Sequence, residues 1–224
     1  MSKLSLTSSL RRSARHLWLS TPVFWYVHQV RRDRELKEWN LRGKGPTPHL
    51  HKRAVVQGYL HRYSLQVVVE TGTYLGEMVD GLASVASRVY SIELDKWLFR
   101  RAQRRLGRYR NVTLIHGDSA DQLGQVIQDL DRPAVFWLDG HYSGGITARG
   151  TVDTPVVSEL TQILSDSKDH IVLVDDAHAF NGTSGYPTMA GLTALVYQLR
   201  PSYRVDVEAD IIRLGPLQGE SQAR

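Results

Sequence analysis

The chain has 224 residues, of which 42% are hydrophobic and 23% charged, and its formal net charge is +5. These values suit one globular domain with an appendage, and they exclude a fibrous or wholly disordered protein. The absence of cysteine excludes disulfides, zinc–thiolate centres and thiol nucleophiles.

Positive charge is concentrated at the N-terminal side. Residues 1–63 hold 13 Lys and Arg against 3 Asp and Glu, whereas residues 64–224 hold 15 against 20. A nucleic-acid partner is therefore not expected for the acidic main part, because phosphate contacts require clustered cations. The apolar stretch 17–27 is shorter than the ~20 residues of a membrane helix. No small-residue cleavage site is obvious, so we expect a retained segment and a cytoplasmic protein.

Residues 1–45 are predicted to form a helical appendage in which basic residues flank an aromatic cluster, Trp18, Phe24, Trp25 and Tyr26. Two interpretations are open. In one, the segment touches a membrane surface or an acidic partner through an amphipathic face. In the other, its aromatic residues pack on the main domain or on a second copy in a homo-oligomer, while its Arg and Lys residues face water. Asp33, Glu35 and Glu38 interrupt the basic face, which favours packing.

From residue 48 onward the pattern predicts alternating helices and strands. The expected helices are 48–63, 76–86, 96–106, 119–130, 155–164 and 188–199, with Ser119 as a helix cap. The expected parallel strands are 67–70, 88–93, 112–116, 134–138 and 171–174. Residues 203–214 are expected to form an antiparallel pair that turns near Ala209 and Asp210. This order predicts an α/β domain over residues 46–216, with a doubly wound, mostly parallel sheet and a terminal antiparallel hairpin, followed by a flexible tail over 217–224.

An acidic residue lies at the carboxyl end, or within two residues after it, of each of the five predicted parallel strands. These acids are Glu70, Glu93, Asp118, Asp139 and the pair Asp175 and Asp176. In an open parallel sheet the ligand crevice lies beyond the carboxyl ends of the strands, so the acids are expected to meet there at a like-charge cost. A ligand that is cationic, or rich in hydroxyls and amines, is therefore expected.

Residues 70–76, Glu-Thr-Gly-Thr-Tyr-Leu-Gly, and the acids after the next strands resemble class I S-adenosylmethionine-dependent methyltransferases over residues 48–216. The resemblance implies a Rossmann-like fold and the cofactor S-adenosyl-L-methionine. It also implies that Glu93 accepts both ribose hydroxyls and that Asp118 and Ser119 hold the adenine amino group. The other cofactor-binding residues that it implies are Glu70, Thr71, Gly72, Thr73, Gly76 and Asp139.

Asp139-Gly-His-Tyr142 and the Asp175–Asp176 pair resemble the divalent-cation-dependent O-methyltransferase branch that acts on sugars and natural products. This resemblance implies Mg²⁺ on Asp139, Asp175 and Asp176, where the cation polarises the acceptor hydroxyl. His141 is the predicted base, beside the catalytic Asp139. Two alternatives are open: Asp139 contacts only the cofactor amino group, and the aspartate pair caps the following turn.

The glycine-rich segment 143–154 is predicted to be a mobile loop that closes over the site. Tyr142, Arg149 and His178 are candidate substrate contacts, and His178 is also a second candidate base. His116 and His170 flank strands and are expected to be packed or solvated. The basic helix 96–106 is expected to present a solvated face.

The sequence therefore predicts a methyltransferase that moves a methyl group to a hydroxyl of a saccharide or secondary metabolite, with Mg²⁺ assistance. Two other hypotheses remain. The first is N-methylation of RNA or protein, for which the basic N-terminal segment would supply contacts. The second is an inactive cofactor-binding module that the N-terminal segment attaches to a membrane surface.

Overall fold

The computed structural model describes residues 21–43, 46–140 and 154–217. The chain divides into two compact units, Met1–Lys52 and Arg53–Arg224. The predicted domain boundary after residue 45 and the predicted tail stay predictions. Within the described ranges, every helix is too short or too polar to cross a lipid bilayer.

In the first unit, the described structure is dominated by helix α1, Pro22–Arg42. The Thr21 hydroxyl caps its first turn by accepting a hydrogen bond from the Phe24 N–H at 3.1 Å, and Gly43 ends it in a left-handed conformation. Arg31 pairs with Glu35 one turn away, at 2.7 Å. These local contacts explain the helix, and Trp18 of the predicted aromatic cluster lies outside the described residues.

The second unit alternates strands and helices as predicted. After α2 (His49–Arg62), the strands are β1 (Val67–Thr71), β2 (Arg88–Glu93), β3 (Val112–His116), β4 (Val135–Leu138), β5 (Ile171–Val174), β6 (Tyr203–Glu208) and β7 (Ile211–Pro216). The helices between them are α3 (Glu77–Leu82), α4 (Lys96–Leu106), α5 (Ser119–Gln128), α6 (Val156–Ser165) and α7 (Met189–Leu199). A short 3₁₀ turn, Ala177–Ala179, follows β5.

The strands form one seven-stranded sheet in the order β3-β2-β1-β4-β5-β7-β6. The first five are parallel, and β7 pairs antiparallel with both β5 and β6. Ala209 and Asp210 form the predicted hairpin turn, both with positive φ, as a two-residue turn of this kind requires. The strand order reverses between β1 and β4, which places the expected ligand crevice at the carboxyl ends of these two strands.

Two apolar cores cover the two faces of the sheet. Alternate strand residues such as Val69, Phe136 and Val172 pack against α5, α6 and α7. The intervening residues, such as Val68 and Trp137, pack against α2, α3 and α4. This arrangement confirms the doubly wound fold with helices on both faces.

Two local predictions were wrong. Helix α3 ends at Leu82 and not at residue 86, because the chain there passes into the turns that lead to β2. Ser119 is the first residue of α5, and Asp118 is its cap. The basic helix α4 presents a solvated face as predicted, since Lys96, Arg100 and Arg104 are exposed.

Candidate active site

Gly72 lies at the reversal of strand order, where the turn after β1 presses against the turn after β4. Its φ is +90°, and a Cβ placed there would lie 2.5 Å from the Asp139 carbonyl oxygen. The Asp139 N–H donates to the Thr71 carbonyl at 3.0 Å and extends the pairing of these strands. Any other residue would be strained in this conformation and would collide with backbone, so the close approach requires glycine.

Glu70 ends β1 with its carboxylate enclosed, at 2% exposure. Burial raises its pKa to about 8; a hydrogen bond from the Ser91 hydroxyl lowers the pKa, and the charges of Asp139 and Glu93 raise it further. The strand register places the other two acids at the same edge, because Glu70 pairs with Ser91, two residues before Glu93, and with Trp137, two residues before Asp139. A cation in this crevice would favour ionised Glu70.

Glu93 joins the turns that follow β1 and β2. Its Oε2 accepts from the Tyr74 N–H and its Oε1 accepts from the Asp95 N–H, each at 2.8 Å. Burial raises its pKa to about 7, against the lowering effect of these two backbone donors. Each carboxylate oxygen can accept a second hydrogen bond, so the group retains capacity for ribose hydroxyls.

Thr71 places a buried hydroxyl beside the crevice. The side chain is fully buried, and its Oγ1 has no hydrogen-bond partner among the residues that the structure describes. Gly140 leaves room beside it, since a Cβ there would lie 3.1 Å from this oxygen. A buried hydroxyl of this kind is costly unless something bonds to it, which fits a polar ligand at the turn.

The acids after β4 and β5 converge on Tyr186. Burial raises the pKa of Tyr186 to about 12; a hydrogen bond with the Thr154 side chain lowers it, and the charges of Asp176, Asp139 and Asp175 raise it further. Asp175 is 3% exposed and accepts a hydrogen bond from the Asp176 N–H at 2.9 Å. Asp175 and Tyr186 line one cavity together with Gly140, so the ends of β4 and β5 carry an acid beside a tyrosine.

Glu159 and Tyr186 were missed by the sequence analysis. Both line a small cavity of about 10 Å³, together with Gly140, Thr154 and Asp175. Glu159 is 1% exposed and lies on the buried stripe of α6 between Val156 and Leu160. An acid inside an apolar helical stripe was the available signal. Tyr186 lies in an irregular segment without periodicity, and the sequence offered no comparable signal for it.

His178 is held by the hairpin turn between β6 and β7. Its Nδ1 lies 2.6 Å from Asp210 Oδ2, and its backbone N–H donates to Asp210 Oδ1 at 2.8 Å. Asp176, His178 and Asp210 each offer a ligand atom, and these atoms lie within 4.8 Å of one another. Among the described residues, Asp139 and Asp175 lie outside this group of possible ligands. The predicted set of metal ligands stays a prediction.

His170 has a structural role, as expected for a packed histidine. Its Nδ1 accepts from the Ala134 N–H at 3.1 Å, and its Nε2 lies 2.7 Å from Asp166. Burial lowers the pKa of His170, while Asp166 raises it. His116 is exposed and contacts the Phe99 ring.

Asp118 caps the first turn of α5. Its Oδ1 accepts from the Ala120 N–H at 3.0 Å. The neighbouring Ser119 is buried at 7% exposure.

His141, Tyr142 and Arg149 lie outside the described residues, so their predicted roles stay predictions.

Known proteins resemble this chain in sequence over part of its length. No family model matches the chain. Among curated proteins, it is 29% identical over 132 residues to "Ribosomal RNA small subunit methyltransferase A" of Clostridium botulinum, a match that covers 58% of this chain and 45% of the relative. The chain thus spans about half the length of the curated relatives it matches.

Two solved structures share the fold over most of their length. An O-methyltransferase from Bacillus cereus, in complex with SAH (S-adenosylhomocysteine), is 17% identical with a TM-score of 0.53, covering 88% of this chain and 98% of that one. The O-methyltransferase TomG from Streptomyces achromogenes, in complex with SAM (S-adenosylmethionine), is 16% identical with a TM-score of 0.54, covering 82% and 86%. The chain therefore has the Rossmann-like fold of SAM-dependent methyltransferases, as predicted.

Proposed function

We propose that this protein is a SAM-dependent methyltransferase and that it transfers the methyl group to a hydroxyl of a saccharide or secondary metabolite. The observation that carries the proposal is the position of Glu70, Glu93 and Asp139 at the carboxyl ends of β1, β2 and β4, beside the switch point of a methyltransferase-type sheet. Buried acids with raised pKa values are frequent at functional sites. The curated rRNA methyltransferase relative supports methyl transfer in general.

The residues present fit the cofactor. SAM would supply a methyl group that its sulfonium already activates. The Gly72 turn would hold its methionine part, Glu93 would accept its ribose hydroxyls, and Asp118 and Ser119 would contact its adenine. The unpartnered Thr71 hydroxyl supports a polar ligand at the same turn. The protein mainly aligns the acceptor with the methyl group, and alignment of this kind lowers barriers by up to ~7 to 11 kcal/mol.

Calorimetric titration with SAH tests cofactor binding. We expect a dissociation constant in the micromolar range, about −8 kcal/mol, and at least a tenfold loss in the Glu93→Ala variant. The exposed Asp121→Asn variant is the matched control and should bind normally. No heat of binding for the unsubstituted protein would contradict the proposal.

Proton removal from the acceptor hydroxyl needs a base, and we propose His141 for this role. His178 is the alternative within the described residues, because Asp210 fixes one ring nitrogen and leaves the other for a proton. The His141→Ala variant should lose the dependence of rate on pH near neutrality. If His178→Ala loses it instead, the assignment moves to His178.

A divalent cation on Asp139, Asp175 and Asp176 remains part of the proposal. Carboxylate oxygens suit Mg²⁺, although among the described residues Asp176 groups with His178 and Asp210 and not with Asp139 and Asp175. Chelation, or the Asp175→Asn substitution, should abolish turnover and leave SAH affinity within about twofold. Full turnover in a chelator would exclude the cation.

Methylation of RNA is the second candidate function. The observation that favours it is the sequence similarity to rRNA methyltransferase A. Transfer of a labelled methyl group from SAM to ribosomal RNA, and not to a panel of saccharides and phenols, would decide for RNA.

A further inference from the structure

A groove that lies away from the acidic edge has an unusual lining. It runs between the end of α2 and the last two strands and has a volume of about 280 Å³. Its side chains include two tyrosines, three arginines and one aspartate, namely Tyr59, Tyr63, Arg62, Arg204, Arg213 and Asp206, and residues 214–217 complete it. We call it the α2/β7 groove.

The register of the hairpin determines which side chains of β6 and β7 form the floor of the groove. Arg213 pairs directly with Asp206, and Gly215 pairs with Arg204, so these four residues share one face of the sheet. The same face carries Ile211, which packs in the core beneath α2. Side chains from β6 and β7 therefore rise toward the tyrosines of α2.

The groove lies toward the opposite end of the sheet from the acids. Along β7, Ile212 pairs with Val174 and Leu214 pairs with Val172, so the chain beyond 214 runs toward the amino ends of the parallel strands. Glu70 and Asp139 follow the carboxyl ends of these strands and are not part of the lining. The α2/β7 groove is therefore separate from the proposed methyl-transfer site.

Aromatic rings and guanidinium groups alternate along the wall of the groove. The rings of Tyr59 and Tyr63 are stacked, with centroids 5.7 Å apart and an interplanar angle of 4°. Arg213 lies 5.9 Å from the centre of the Tyr59 ring, and Arg62 lies 5.6 Å from that of Tyr63. Stacked tyrosines and guanidinium planes are surfaces on which nucleobases stack.

The charges of the groove favour a mixed ligand. Three arginines face two acids, Asp206 in the lining and Glu208 beside it, which leaves one net positive charge to attract phosphate. Ion pairs with Asp206 and Glu208, each at 2.5 Å, hold Arg204 and Arg213 in place. Asp206 would repel a simple polyanion but can accept a hydrogen bond from a sugar hydroxyl or a base amino group. A lipid chain fits poorly, because the lining of the groove is more polar than apolar.

We propose that the α2/β7 groove binds an unpaired nucleotide, with its base on the tyrosines and its phosphate on the arginines. The nucleotide is either free or part of a single strand, and both sources share this chemistry. The proposal goes beyond the proposed methyl transfer and does not depend on it, since SAH binding reports on the other end of the sheet.

Fluorescence anisotropy with a labelled ten-nucleotide oligouridylate tests binding of a strand, and titration with UMP and AMP tests binding of a free nucleotide. The variants are Arg62→Ala, which removes an exposed cation, and Tyr63→Leu, which removes a ring but keeps apolar volume on the core. Arg104→Ala, on the exposed face of α4, is the matched control. The melting temperature of each variant checks that the fold is intact, and SAH titration checks the separate cofactor site.

We expect about a tenfold loss of affinity in both groove variants, with normal SAH binding and a normal control. Arg62→Ala should also reduce the salt dependence of oligonucleotide binding, by about 0.7 in the log–log slope for one lost phosphate contact. Binding of UMP or AMP but not the strand supports a free nucleotide, and stronger binding of the strand supports a nucleotide within it. Absence of both, or an equal loss in Arg104→Ala, overturns the proposal.

Discussion

Glu70 is a buried acid whose pKa depends on its surroundings. Its carboxylate is enclosed at the end of β1 and accepts a hydrogen bond from Ser91, yet its pKa remains raised to about 8. In the absence of a cation the group therefore holds its proton at neutral pH. The residue is suited to a positively charged ligand, because such a ligand would favour the ionised form.

Glu70 also predicts how stability depends on pH. A proton held in the folded state up to about pH 8, but lost near 4.5 in the unfolded chain, makes the free energy of unfolding fall as pH rises through this window. The Glu70→Gln variant should lose the Glu70 share of this fall, which is on the order of a few kcal/mol, and should keep the smaller share that the raised pKa of Glu93 contributes. Urea denaturation at pH 5 and pH 8.5 measures it, with Asp121→Asn as the control. Equal pH dependence in the variant and the unsubstituted protein would contradict the expectation.

Among the elements, α5 begins at Asp118, an acid that caps the helix and that the proposal also assigns to the cofactor adenine. Asp118 caps this helix, although the sequence analysis gave the role to Ser119, because both residue types are good caps and pattern alone does not fix the first helical residue. The capping oxygen faces the first turn, and the other oxygen is the one that could reach adenine.

Substitution of Asp118 separates these roles. Asp118→Ala should destabilise the protein by about 1 kcal/mol and lower its melting temperature by roughly 2 to 4 °C, because it loses the cap. Asp118→Asn keeps a capping oxygen and should melt normally. Reduced SAH affinity in Asp118→Asn, measured by calorimetry, would assign the carboxylate to adenine. Normal melting of Asp118→Ala would show that the cap contributes little.

The strands were predictable element by element, because short apolar runs bounded by acids and glycines leave few alternatives. Observed strand β2 has its predicted bounds, and β1 is longer by one residue, Thr71. Helix α3 was predicted too long, because local pattern does not show where tertiary packing ends a helix. The hairpin turn at Ala209 and Asp210 was predicted correctly, although neither residue is glycine.

At the scale of the whole molecule, strand order made the acidic edge predictable, since all parallel strands end on the same side. Contacts that join distant segments were not predictable in this way. The hydrogen bond between His178 and Asp210 joins residues that are 32 positions apart, and it depends on how the hairpin packs beside β5. The Glu159 carboxylate likewise reaches the site from a helix whose placement required the tertiary structure.

All the described site residues and both apolar cores belong to the unit Arg53–Arg224. We therefore expect a truncated chain that starts at Pro46 to bind SAH within about twofold of the full chain, as measured by calorimetry. Sedimentation with anionic vesicles should then test the basic N-terminal segment separately. A tenfold loss of SAH affinity on truncation would make that segment part of the cofactor site.

The terminal hairpin also protects the molecule from aggregation through the edge of its sheet. Strand β5 is an uninterrupted apolar run, and β7 covers its open side. At the outer margin, β6 carries Arg204, Asp206 and Glu208 at alternate positions, a charged border that discourages strands of other molecules from adding on. Loss of this hairpin would expose the apolar edge strand β5. Fibrillar aggregation should then be faster than refolding.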